Sequence, residues 1–372
     1  MIIEEELNNP INKYLNTIIK GDCIKVLSLI PDNSVDLIFA DPPYNLQIQD
    51  NLFRPNNTKV NGVQDNWDKF SSFEEYDKFA IAWLKECRRV LKNTGTIWII
   101  GSYHNIFRVG KIMMDLGFWI LNDIQWYKTN PMPNFKGTRF TNATETLIWC
   151  KKSETQKKYT FNYKLMKHIN GNKQMGSVWH IPLCIGNERL RDEDGNKLHS
   201  TQKPEELLKR VILSSSNIGD IVLDPFFGSG TTGAVAKKLK RNFIGIEKEQ
   251  NYIHIAKSRI NKINTFLPEL TIQVEEKLTQ PKIPFKALID ENYVNEGDTI
   301  YFKKNKELKA TILKDGFIKY ENKTGSIHKI GSIIQKSESC NGWMNWYIII
   351  NNKFILIDDL RQKYKQEKEE GK

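Results

Sequence analysis

Four consecutive residues, Asp41-Pro42-Pro43-Tyr44, bring a carboxylate, two proline carbonyls and an aromatic ring together directly after the apolar run Val35-Asp36-Leu37-Ile38-Phe39-Ala40. Each proline fixes φ and lacks an N–H, so the Pro42 and Pro43 carbonyls are expected to have no local turn to close. A carboxylate and a carbonyl can accept both N–H bonds of a flat amino group while the ring stacks on its face. The apolar run reads as a short buried parallel strand. The carboxyl ends of such strands are where open α/β sheets place their ligands. The same four residues would also serve as an ordinary Pro-Pro turn with a solvated Asp and a packing Tyr.

A second constellation lies far along the chain. The apolar run Ile221-Val222-Leu223-Asp224 leads into Pro225-Phe226-Phe227-Gly228-Ser229-Gly230-Thr231-Thr232-Gly233 and a helical pattern. Gly228, Gly230 and Gly233 fit G-x-G-x-x-G between a strand and a helix, and Glu247 ends the next apolar run, Asn242–Glu247. Glycines admit close backbone approach to a ligand, and an acid about twenty residues on can hold a ribose diol. A nicotinamide oxidoreductase carries the same fingerprint. Against it stand the late position of the loop, the Asp-Pro-Pro-Tyr turn, which has no part in hydride transfer, and the basic charge of the chain.

Asp41-Pro42-Pro43-Tyr44 early and Asp224-Pro225-Phe226 with its glycine loop late resemble the amino-methyltransferases of the permuted β class, whose catalytic half precedes the cofactor half. Lys20-Gly21-Asp22-Cys23, Trp67-Asp68-Lys69-Phe70, Thr129-Asn130-Pro131-Met132-Pro133-Asn134-Phe135 and His199-Ser200-Thr201-Gln202-Lys203-Pro204 extend the likeness. They resemble the adenine-N6 DNA methyltransferases that recognise GANTC, a subgroup that includes cell-cycle-regulated enzymes. The resemblance covers roughly residues 14 to 362.

That resemblance implies an α/β, doubly wound, mostly parallel seven-stranded sheet with circularly permuted motif order, followed by a small α+β domain. It implies an S-adenosylmethionine-dependent enzyme acting on an adenine rotated out of duplex DNA, because an in-helix amino group cannot reach a buried site. Asp41 and the Pro42 carbonyl would hold the amino group, Pro43 would shape the turn, and Tyr44 would stack on the base. Asp41 would also border the cofactor. Phe226, Gly228, Gly230 and Thr231, following Asp224, would surround its methionine part, and Glu247 its ribose. Asp22 would lie near its adenine end, and Ser200, Thr201, Gln202, Lys203 and Pro204 would close over its carboxylate. His199 reads as a loop histidine rather than a catalytic base. Cytosine-N4 methylation is the nearest alternative, although Asp at the first motif position favours adenine. A DNA-binding regulator without catalysis is a third class, which the intact tetrapeptide argues against. Relatives act as dimers on DNA, so a homodimer is expected; neither a metal nor a covalent nucleophile is needed.

Composition bounds these readings. The 372 residues carry a formal net charge of +11, which points to a polyanionic partner. Cys23, Cys87, Cys150, Cys184 and Cys340 are scattered without metal-ligand spacing, which disfavours zinc and a disulfide framework. The acidic N-terminus has no signal-peptide core and no stretch could span a bilayer, so a bacterial cytoplasmic or nucleoid location is expected.

The elements that must position these residues follow from periodicity. A methyltransferase domain is expected over 14–263, with a catalytic half at about 14–150, a target-recognition insertion at about 129–198 and a cofactor half at about 199–263. Asn45 to Asn66 reads as a loop that orders over DNA. Phe73 to Lys92 has helical spacing, with Phe79, Trp83, Leu84, Cys87 and Leu91 inward and Gly95 ending the helix. Thr96–Ile100 is the next strand. A helix at about 105–116 leads to Phe118–Tyr127 and Thr144–Cys150, which read as an antiparallel edge pair. Between Lys151 and Lys173, seven lysines, Lys164 and Lys167 among them, face the single acid Glu154 among interleaved aromatics, a combination used on nucleic acid. Arg139 and Arg189 are candidate groove readers, since arginine pairs bidentately with guanine. Pro204 opens a helix to about Ser216. A linker is expected over 264–284, then a strand-rich domain with a helix over 285–364 that contacts DNA, and a charged, frayed tail.

Overall fold

The computed structural model describes residues 2–3, 11–45, 68–134, 137–191, 195, 198, 201–263 and 283–370. The expected DNA-ordering loop beyond Asn45, Trp67, Phe135, His199, Ser200 and most of the expected linker fall outside those residues. The chain divides into two compact units, Met1–Leu278 and Thr279–Lys372.

The first unit is built on β1 (Ile2–Ile3), β2 (Thr17–Lys20), β3 (Val35–Ala40), β4 (Leu91–Gly101), β5 (Trp119–Lys128), β6 (Thr144–Lys151), β7 (Val178–Ile181), β8 (Ile221–Asp224) and β9 (Asn242–Glu247). They form one sheet in the order β1-β2-β9-β8-β3-β4-β6-β5-β7. Only β6 runs antiparallel to its neighbours. Seven strands from β2 to β5 make the expected mostly parallel sheet, and the short β1 and β7 extend its two edges. β5 and β6 are therefore not the edge. Four residues with one His and an alternating exposure pattern are too short to announce β7 from sequence.

Continuous apolar runs become strands because both faces are covered. Along β3, Ile38 and Ala40 pack on one face with α1 (Cys23–Leu29), α2 (Phe73–Val90) and α3 (Ile106–Asp115). Leu37 and Phe39 pack on the other with α4 (Tyr163–Ile169), α5 (Glu205–Ser215), α6 (Thr231–Lys238) and α7 (Gln250–Asn261). Successive side chains on a strand point to opposite faces, so β4 divides likewise, with Ile97 and Ile99 against Trp98 and Ile100.

The helix α2 starts where Ser72 accepts the Glu75 N–H at 3.2 Å, with Glu74 and Glu75 in its first turn and Arg88 and Arg89 in its last. It ends at Val90, five residues before the expected Gly95 stop. Gly95 instead lies within β4, where an added Cβ would come 2.8 Å from the Asp36 carbonyl of the adjacent strand. That glycine serves close strand approach, not a helix cap.

The second unit is a six-stranded antiparallel sheet, ordered β13-β12-β11-β10-β14-β15. Its strands are β10 (Thr299–Phe302), β11 (Lys309–Ile312), β12 (Ile318–Tyr320), β13 (Lys323–Gly325), β14 (Trp346–Ile350) and β15 (Lys353–Leu356). Alternate residues Ile300, Phe302, Ala310, Ile312, Trp346 and Ile348 build its core. Among the described residues three α-helices accompany it: α8 (Lys286–Asp290), α9 (Ile327–Ile334) and α10 (Ile357–Glu370). The expected frayed tail is helical through Glu370, anchored by Tyr364 edge-on to Tyr293 and by Arg361 over Trp343.

Candidate active site

Four adjacent strands, β2, β9, β8 and β3, end in or lead into acids: Asp22, Glu247, Asp224 and Asp41. At a strand spacing of about 4.8 Å, that row extends roughly 14 Å. A cleft of about 330 Å³ runs along it, lined also by Pro42, Pro43, Tyr44, Phe79, Thr201, Gln202, Lys203, Phe226, Gly228 and Thr231. β8 and β3 lie side by side at its centre, with their crossovers on opposite faces, which is the switch-point crevice of a doubly wound sheet.

The reaction turn is held from three directions. The Asp68 carboxylate accepts the N–H groups of Tyr44 and Asn45 at 2.6 and 2.8 Å. The Pro43 carbonyl accepts from the Tyr76 hydroxyl at 3.0 Å and from the Asn105 amide at 3.4 Å. Of the two carbonyls expected to be open, only that of Pro42 remains so among the described residues. Asp41 binds Lys203 Nζ through Oδ2 at 2.7 Å, while its buried Oδ1 has no partner among the described residues. A vacant acceptor on a buried carboxylate, beside an open carbonyl, is the pair of acceptors an amino group requires.

Charges around this turn are ordered by proximity. Glu145 on β6 accepts from the Tyr44 hydroxyl at 3.0 Å and pairs with Lys128 on β5 at 2.8 Å; Lys203 lies 3.8 Å from it. Burial disfavours the Glu145 charge, but Lys203 and Lys128 outweigh it and hold the carboxyl below its usual range. Asp41 has one cation instead of two, so burial prevails and pushes it up despite Lys203. Burial opposes the Lys203 charge, yet Asp41 and Glu145 together raise its pKa.

On the cofactor side, burial pushes the Asp224 carboxyl up to about 7. Its oxygens accept from Phe226 N at 2.9 Å and the Thr232 hydroxyl at 2.6 Å. Thr232→Val is therefore expected to lower stability by about 1–3 kcal/mol, the cost of orphaning a buried acceptor. Denaturant unfolding reads this, and an unchanged midpoint removes the hydroxyl from that role. Burial also raises Glu247, whose two oxygens each accept one backbone N–H, from Gly228 at 2.7 Å and Glu249 at 2.8 Å. Each oxygen keeps a second lone pair for a diol. Asp22 lines the cleft while capping α1, accepting from Ile24 N at 3.0 Å and Lys25 N at 3.3 Å.

Sequence comparison adds the family. The profile described as DNA methylase matches residues 35–258, and one described as Restriction Enzyme Adenine Methylase Associated matches 271–370. Type II methyltransferase M.HinfI of Haemophilus influenzae is 52% identical over 96% of this chain and 99% of its own. The chain belongs to the DNA methylase family. Type II methyltransferase M2.LlaDCHI of Lactococcus lactis subsp. cremoris is 45% identical to this methylase over 67% of the chain and 90% of its own. The PvuII DNA methyltransferase (cytosine-N4-specific) shares the fold, with a TM-score of 0.52 and 21% identity over 70% of this chain and 92% of that one.

The methylase does not bring every expected residue to the cleft. Gly230 sits at φ 74°, where an added Cβ would strike Ala256 at 2.7 Å, so it serves the packing of α6 and α7. Gly233 likewise abuts Phe227; only Gly228 of the three lines the cleft. Pro204 caps α5 and does not line it. Gln202 lines it, but its side chain binds Glu188 O at 2.8 Å and Leu190 N at 3.0 Å. Lys203, expected on the cofactor's carboxylate, lines the cleft with its ammonium 2.7 Å from Asp41 Oδ2.

Arg139 lies in the β5–β6 connection at the catalytic end of the sheet, against the Tyr103 ring and hydroxyl. Arg189 bonds Cys184 O at 3.0 Å in the segment that Gln202 grips. Lys164 and Lys167 are exposed on α4 at the other end. Asn162, which starts that helix, binds Leu213 O and Ser216 O where α5 finishes, remote from the Asp41 end. The structure thus separates these two lysines from the cleft. Glu145, Lys128, Tyr76 and Asn105 were not anticipated. Lys128 ends β5 and Glu145 is the second residue of β6, in strands that carry other polar side chains, so the sequence offered little to mark the pair.

Proposed function

We propose that this DNA methylase transfers a methyl group from S-adenosylmethionine to the exocyclic amino group of adenine in duplex DNA, within GANTC. The observation that carries it is the unpartnered, buried Asp41 Oδ1 beside the Pro42 carbonyl, an acceptor pair at the end of a cleft whose other end offers Glu247 and Asp22. The row of strand-end acids has the extent of a nucleoside carrying an amino-acid arm. Bound there, S-adenosylmethionine supplies an electrophilic methyl group.

The adenine amino nitrogen is a poor nucleophile because its lone pair is delocalised into the ring. Two hydrogen bonds, to Asp41 Oδ1 and the Pro42 carbonyl, favour a pyramidal nitrogen with a localised lone pair. As the nitrogen–methyl bond forms and the sulfur–methyl bond breaks, positive charge grows on that nitrogen and the Asp41 carboxylate stabilises it, the inverse of an oxyanion hole. The nitrogen then releases one proton through its bond to Asp41 to become the neutral methylamine. Fixed alignment of nitrogen and methyl contributes several kcal/mol more. Tyr44 stacks on the base, which must leave the duplex to arrive.

We further infer membership of the β class and its cell-cycle-related subgroup, a homodimer on DNA, DNA contacts from the C-terminal unit and a cytoplasmic site of action. The permuted motif order and the residues shared with that subgroup support these readings.

The test is transfer from labelled S-adenosylmethionine to duplexes carrying GANTC, GATC or a scrambled site, with the modified base identified. Label on adenine in GANTC alone is expected. Label on adenine elsewhere discards the recognition site; label on cytosine discards the base.

A further inference from the structure

Glu145 has no part in the chemistry derived so far, yet it retains only 12% of its side-chain exposure, and its partner Lys128 only 8%. A buried pair of this kind gains little over apolar residues of like shape, because desolvating two ions offsets their attraction. Its surroundings give it a different use. Oε1 is fixed by Lys128 at 2.8 Å, while Oε2 faces both the Tyr44 hydroxyl at 3.0 Å and Lys203 Nζ at 3.8 Å. Lys203 also lies over the Tyr44 ring, 5.1 Å from its centroid, and holds Asp41 at 2.7 Å. One ammonium therefore stands between two carboxylates, and sits on Oδ2 of the one whose Oδ1 the amino group would take.

We propose that Glu145, held by Lys128, is a positioning residue for methyl transfer: it receives the Lys203 ammonium when the substrate amino group engages Asp41, and it fixes the plane of the Tyr44 ring. This rests on the amino-methylation reading above. Were Glu145 neutral, the ammonium would have a single buried anion and would stay on Asp41, whose charge would then be spent on Lys203 and not on the reacting nitrogen. The exchange forms and breaks no covalent bond. It moves a cation from one carboxylate to the other as a second, developing cation arrives.

The test is steady-state methylation of the target duplex by the full-length protein carrying Glu145→Gln, Lys203→Met, both together, or Tyr44→Phe. Glu145→Gln should lower kcat on the order of 10²-fold, the scale of one lost preorganised contact, with cofactor affinity little changed. Its activity should recover as pH rises, since deprotonating Lys203 frees Asp41; the wild type should show no such rise. The double variant should exceed Glu145→Gln, because the trapped cation is gone. Tyr44→Phe should lower kcat without alkaline recovery. Wild-type kcat in Glu145→Gln, or a double variant as slow as the product of the singles, overturns the proposal. So does alkaline recovery in Tyr44→Phe, which would place that recovery elsewhere than Lys203. If Glu145→Gln fails to fold with Lys128 unpaired, Lys128→Met with Glu145→Gln removes both charges and carries the same expectation. A wild type inactive on every adenine duplex brings down the amino-methylation reading and this inference with it. An active wild type with unaffected variants brings down this inference alone.

Discussion

Replacing Asp41 with alanine is expected to abolish methyl transfer and leave a folded protein. The carboxylate is the one group placed both to accept the amino hydrogen and to stabilise the charge that grows on the nitrogen. Removing a preorganised group of this kind costs about 10²–10³ in kcat, and here the positioning of the base is lost with it. Asp41→Asn keeps one acceptor oxygen but not the charge, and should fall between. Stability should change little. The burial that raises the Asp41 pKa also makes its charge costly, and Lys203 has Glu145 within 3.8 Å to turn to. Single-turnover transfer, with thermal melting as the folding control, measures both. Substantial transfer by the alanine variant would remove Asp41 from its assigned role.

The largest loss of stability is expected at Trp83. Its side chain is fully buried on α2, and its ring meets Phe226 edge-on, with centroids 5.2 Å apart and an interplanar angle of 89°. Trp83→Ala should cost about 3–5 kcal/mol. Phe226 forms part of the cleft wall, so cofactor affinity should fall as well. Trp83→Phe should be much milder. The indole Nε1 is buried with no partner among the described residues, so its removal costs no hydrogen bond there while an aromatic edge stays against Phe226. Denaturant unfolding and cofactor titration of both variants test this. An alanine variant with native stability would show that α2 does not support the cleft.

The central strands were legible because burial on both faces leaves an uninterrupted apolar run, as at Val35–Ala40 and Ile221–Asp224. Their terminal acids were legible for the same reason: a charge that ends such a run stands at the strand's carboxyl end, where ligands bind. The glycine loop was only half legible. A G-x-G-x-x-G pattern does not distinguish a glycine that faces a ligand, such as Gly228, from Gly230 and Gly233, which admit Ala256 and Phe227. The supports of the reaction turn were illegible, because Tyr76 and Asn105 lie 33 and 62 residues from the carbonyl they bind. The lysine-rich stretch was half legible for a related reason. Local charge reveals a partner's sign, but the Asn162 bonds to the end of α5 decide to which end of the sheet the lysines are fixed.

Asp41 and Glu145 carry two negative charges, and Lys128 and Lys203 two positive ones, so the four buried groups cancel. The strand-end acids Asp22, Glu247 and Asp224 stand outside that balance and line the part of the cleft that a cationic cofactor would enter. The phosphate backbone, by contrast, meets a chain of net charge +11 whose pull reaches through solvent and weakens as ionic strength rises. Salt can thus regulate how long the protein stays on DNA while the buried, self-compensating ions around Asp41 are screened far less.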